Sequence, residues 1–123
     1  MALASELVNG GFSPGQARAI GGQINSGVSA AGTVITDATD LTAGHNIVTT
    51  VAASSGVQLP SANIGDEVFV YNGTATNSLK VYPDSSSNTI NQIAAGSAML
   101  LAPYTGCTYK KATTTVWSAS LSA

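Results

Sequence analysis

His45 is the single histidine of this chain and Cys107 the single cysteine; six Asp and Glu residues supply its carboxylates. Histidine is the commonest general base, and beside a Ser or Thr hydroxyl it could make a nucleophile–base pair. His45 falls in Thr42-Ala43-Gly44-His45-Asn46, a turn between strands, where an exposed turn histidine is the ordinary role. No serine lies in a Gly-x-Ser-x-Gly elbow. Cys107 with His45 could form a thiol–imidazole dyad, but a lone strand cysteine more often packs as a small apolar side chain. Glycoside hydrolysis needs two facing carboxylates about 5–10 Å apart. Asp37 and Asp40 lie in a turn, where Asp caps backbone N–H groups. Asp66 and Glu67 are adjacent and would point to opposite faces of a strand. Asp37, Asp40 and Asp84 do not form the interleaved acidic loop that binds calcium. One cysteine excludes an internal disulfide and a cysteine zinc cluster. Gly10-Gly11 and Gly21-Gly22 fit neither phosphate-loop pattern. Asn72-Gly73-Thr74 matches a glycosylation sequon, but it reads first as a hairpin turn. Catalysis needs convergent titratable groups. The residues therefore predict no enzyme, with no catalytic residue, no metal ligand and no cofactor.

Composition supports the same expectation. The chain has 123 residues, enough for one small domain. Only 8% are charged, against about 25% on average. Hydrophobic residues reach 44% but aromatics only 6%, so the apolar mass is mostly Ala and Val. The net charge is −2, and Arg18, Lys80, Lys110 and Lys111 are too few to track a phosphate backbone. No nucleic-acid partner is expected. No apolar run approaches the roughly 20 residues of a membrane span, so no membrane partner is expected either. Met1 to Glu6 lacks the basic flank and apolar centre of a signal peptide, which points to folding in a cytoplasm.

The elements that must position these residues divide near residue 32. Leu3, Leu7 and Val8 share one face at helical spacing. Ser13-Pro14-Gly15-Gln16 reads as a helix start, and Gly21 as its stop. Residues 1–25 are thus predicted as a helical arm, and 26–32, rich in Ser and Gly, as a linker. Residues 33–123 are predicted as one β domain. Its strands are read at Thr33–Thr36, Asn46–Val51, Val57–Leu59, Glu67–Tyr71, Leu79–Tyr82, Thr89–Ile93, Ala98–Leu101, Cys107–Lys111 and Thr115–Ser118. Short strands with turn signals every 8–12 residues predict a β-sandwich or β-barrel. The expected core is Val34, Val48, Leu59, Val68, Val70, Val81, Ile90, Leu100, Tyr109 and Trp117. Phe69 and Tyr71 oppose Val68 and Val70, so that strand is apolar on both faces. Such a strand suggests a covered outer face or a self-association surface.

From Asn46 onward the chain resembles a known group. Asn46 to Pro60 is followed by Gly65-Asp66-Glu67-Val68-Phe69-Val70-Tyr71-Asn72, Leu79-Lys80-Val81-Tyr82-Pro83 and Thr89-Ile90-Asn91. Leu3 to Val8, Ser13-Pro14 and Ala17 to Ile20 are similar to the leaders of the same group. It looks like a family of small structural proteins from the virions of tailed bacteriophages. The resemblance implies a capsid decoration (cement) or head-fibre protein, located in the virion and assembled in the host bacterial cytoplasm. It implies the major capsid protein or another virion protein as partner, and a homo-oligomer, trimeric or dimeric. Leu3, Leu7, Val8, Phe12 and Ile20 would form the docking face of the arm. Two further roles are open. Trp117, Tyr71, Tyr82, Tyr104 and Tyr109 could stack on sugars in a receptor-binding or tail-fibre tip. The β domain could instead bridge rings as a neck or tail connector.

Overall fold

Residues 23–122 are described by a computed structural model. Ten strands follow in order: β1 (Ile24–Ser29), β2 (Thr39–Asp40), β3 (His45–Thr50), β4 (Gly56–Gln58), β5 (Glu67–Asn72), β6 (Leu79–Tyr82), β7 (Thr89–Ile90), β8 (Met99–Leu101), β9 (Gly106–Lys111) and β10 (Val116–Ser122). A 3-10 turn covers Ile35–Asp37. Through β8 the strands alternate between two sheets. The larger sheet has the order β1-β3-β5-β9-β10-β7, the smaller β2-β4-β6-β8.

The first three strands of each sheet run parallel. Ile24, His45 and Phe69 are register partners 21 and then 24 residues apart, so each coil of the chain lays one strand in each sheet. This is a solenoid-like arrangement of mixed sheets. It corrects the expected single β-sandwich or β-barrel. Turn residues mark where a strand stops, but they do not say whether the chain returns within its sheet or crosses to the other. Asn72 shows the difference. It does not open a hairpin; it sits buried at the corner where the chain leaves the large sheet. Its Nδ2 donates to Asn77 O and Leu101 O, both at 2.9 Å, and its Oδ1 accepts from Thr74 N at 3.1 Å. Past the third coil, β8 and β9 join the two sheets antiparallel. They close that end of the stack, where a solenoid needs a cap.

The N-terminal expectations change as well. Residues 24–29, predicted as arm and linker, form β1 beside β3. Among the described residues there is no α-helix, and residues 1–22 of the predicted arm lie outside them. Residues 33–36 are not a strand. They belong to a strap that leaves β1, pairs Ala31 with Gly56, and crosses the outer face of the small sheet. Tyr82 Oη donates to Thr33 O at 3.0 Å and pins the strap there.

The core lies between the sheets. Val48, Val68, Val70, Tyr109 and Trp117 enter from the large sheet, and Val57, Leu79, Val81 and Leu101 from the small one. Val34 and Leu100, both expected inside, are 51% and 63% exposed. Val34 lies on the strap. In β8 the register puts Leu101 opposite Leu79, so its neighbour Leu100 faces out.

Candidate functional site

The outer face of the large sheet gathers apolar and aromatic side chains from three neighbouring strands. Strand alternation turns Ile24, His45 and Phe69 outward in one cross-strand row, with Ile47 and Tyr71 in the next. The His45 and Phe69 rings stack with centroids 4.7 Å apart and planes 26° from parallel. The face is bounded at one end by Glu67 and Lys110, which are register partners on β5 and β9. All ten strands lie within the two sheets and the 3-10 turn contacts β4, so no described strand or helical turn lies over this face; the loop at Gly73 borders it beside Ile47 and Tyr71. Phe69 and Tyr71 are half-buried among the described residues. The docking residues Leu3, Leu7, Val8, Phe12 and Ile20 lie outside the described residues.

The catalytic pairs weighed above do not come together. His45 is on the outer face of β3, while Cys107 is buried on the inner face of β9. Burial pushes the Cys107 thiol above its ordinary value, which disfavours the reactive thiolate. Asp37 Oδ1 accepts from Val34 N at 3.1 Å, and Asp66 Oδ2 from Asn63 N at 2.9 Å. Both carboxylates hold turns, as Asp does in such positions. Of the five aromatics that could stack on sugars, Trp117, Tyr109 and Tyr82 are buried. Tyr71 and Tyr104 stay accessible on separate elements. Tyr109 is held protonated by its burial.

A second cluster was not anticipated from the sequence. Asp84, in the loop after β6, accepts from Lys111 Nζ through Oδ2 at 2.6 Å. Its Oδ1 accepts from Asn88 Nδ2 at 2.6 Å and from Trp117 Nε1 at 2.9 Å. The Lys111 ammonium also lies 5.1 Å from the centroid of the Trp117 ring. Burial alone would raise the Asp84 carboxyl. Hydrogen bonds from Lys111, Trp117 and Asn88, with the Lys111 charge, outweigh it and hold the group below the ordinary carboxylate range. The Lys111 and Asp84 side chains are only 4% and 10% exposed. One sequence signal was present: Cys107, Tyr109 and Lys111 share a parity in β9, so Lys111 must point where Tyr109 points. Nothing local paired it with Asp84. Asp84 also touches a cleft of about 290 Å³ at the ends of β2 and β4, lined by Asp40, Gln58 and Ser61 among others. Among the described residues no group of three or more His, Cys, Asp or Glu could hold a metal ion.

No protein-family model and no curated protein matches the chain.

Proposed function

We infer that this protein is a structural component of a tailed-bacteriophage virion, of the capsid decoration or head-fibre kind. The observation that carries this reading is the apolar face of Ile24, His45, Ile47, Phe69 and Tyr71, over which no described strand or helical turn lies, on a short solenoid-like fold. A lattice-binding protein works through broad surfaces rather than a pocket, and weak contacts add up when many copies bind one repeating shell. The very low charge suits a surface that meets other uncharged protein surfaces. The resemblance of the motifs from Asn46 to Asn91, and of the leader residues, to such proteins supports the same class. In this reading the Phe69–Tyr71 face joins copies of the chain into a trimer or a dimer, as closed symmetry favours. The segment before β1, with Leu3, Leu7, Val8, Phe12 and Ile20, contacts the major capsid protein or another virion protein.

The test is co-sedimentation of the purified full chain with capsids that lack it, read beside a chain lacking residues 1–22. The reading expects the full chain to bind at saturable stoichiometry and the shortened chain to stay folded but bind at least tenfold more weakly. A full chain that stays in the supernatant at every capsid concentration overturns the decoration role.

A further inference from the structure

Asp84 holds two chemically different nitrogen groups on the two oxygens of one carboxylate. The Lys111 amine sits on Oδ2 and the Asn88 carboxamide nitrogen on Oδ1, each at 2.6 Å. The Trp117 indole N–H, also on Oδ1, fixes the carboxylate in place. Asn88 and Lys111 are buried, and their neighbours Ile90, Tyr109 and Trp117 are fully buried. An amine, a carboxamide and a carboxyl that bridges them, the amine and carboxamide buried and the carboxyl at the edge of the cleft, are the two reactants and the acid–base catalyst of an amide exchange.

We propose that the protein cross-links itself, Lys111 Nζ attacking Asn88 Cγ to form an intramolecular isopeptide bond with Asp84 as the proton carrier. The Lys111 ammonium first passes one proton to Asp84 Oδ2, leaving a neutral amine and a neutral carboxyl. Burial narrows the gap between ion pair and neutral pair, because both charges vanish together. The Nζ lone pair then forms the bond to Cγ, and the carbonyl π electrons move onto the Asn88 oxygen. As the carbonyl re-forms, the Cγ–Nδ2 bond breaks. Nδ2 takes the carboxyl proton of Asp84, and the carboxylate recovers a proton from the attacking nitrogen. Ammonia departs, taking that last proton as ammonium and restoring the carboxylate. No oxidant, reductant or further reactant is needed. The ion pair is the dominant form, so the reaction is slow, but loss of ammonia makes it irreversible. Asp84 acts on the reacting atoms directly, and Trp117 is its positioning residue.

The bond would join the loop before β7 to the end of β9. That is where the β9–β10 hairpin is inserted between β5 and β7. A covalent link there locks the closing end of the solenoid against unzipping.

Intact-mass spectrometry of the purified full chain tests this. The expected species is lighter than the calculated mass by one ammonia, about 17 Da. Trypsin should then yield a branched peptide in which Val81–Lys110 is joined to Lys111–Ala123 through Asn88 and Lys111. Asn88→Ala, which keeps the ion pair and so keeps the fold, should show its full calculated mass, as should Lys111→Met. A wild-type chain that stays at full mass after folding and several days of incubation overturns the proposal. So does a loss of ammonia that maps to a succinimide at Asn72-Gly73.

Discussion

Lys111 and Asp84 meet at 2.6 Å across 27 residues of chain, both largely shielded from water. Their contact joins the loop after β6 to the end of β9, so it reports on whether the C-terminal half has closed correctly. A buried pair of this kind contributes less than its Coulomb energy, because both ions lost their hydration. Breaking it from one side is nevertheless costly, since the remaining charge stays buried.

The ion pair is weighed cleanly in an Asn88→Ala background, where no carboxamide is available to react. There, Asp84→Asn should cost roughly 3–5 kcal/mol, because it leaves the Lys111 ammonium without its counter-ion. Urea unfolding followed by Trp117 fluorescence gives the value. A loss below about 1 kcal/mol would mean that Lys111 escapes to solvent in the variant.

The same background should show a pH dependence of defined sign. The folded Asp84 carboxyl titrates below its ordinary value. Its contribution is therefore fully present above the unfolded carboxylate pKa of about 3.9, and disappears as pH falls through the lower folded value. Acid titration of stability should show this loss, and adding Asp84→Asn should flatten the curve over that range.

Cys107 should not react with a thiol reagent in the folded protein, because it is buried and its thiol is pushed up by burial. Reaction should follow global unfolding as denaturant is added. Cys107→Ser and His45→Ala should each leave the far-ultraviolet circular dichroism spectrum unchanged. Rapid modification in native buffer would show that β9 opens locally.

Gly56 has no room for a side chain. A Cβ there would lie 2.8 Å from Lys80 O and 2.9 Å from the Tyr82 ring. Gly56→Ala should cost about 1–3 kcal/mol by pushing Tyr82 off the small sheet and freeing the strap it holds. Thermal unfolding measures the loss, and Tyr82→Phe, which removes only the hydrogen bond to Thr33 O, should cost less.

Phe69→Ser with Tyr71→Ser should remove self-association while leaving the fold intact, because both side chains point away from the core. Sedimentation velocity should show wild-type oligomers and a monomeric variant at the same concentration. An unchanged sedimentation coefficient would place the contact elsewhere on the chain.

Strand positions are largely legible in the order of residues alone. Val48, Val68, Val70, Val81, Ile90, Tyr109 and Trp117 announce themselves by alternation and by β-branched or aromatic type, and all are buried. The outward parity of Phe69 and Tyr71 is legible for the same reason. Alternation is a local property, so the chain carries it residue by residue. The parallel coil, the β1 pairing, the strap and the Asp84 cluster are not legible. Each depends on which distant segment lies alongside, and strand addition to a sheet uses backbone groups common to every residue. Gly27 and its Ser neighbours look like linker because their side chains say little, yet β1 gains its hydrogen bonds from β3. Asp84 and Lys111 look like surface charges in the sequence. Only the closing of β9 and β10 over the loop after β6 buries them together, and burial is what turns two ordinary charges into a site.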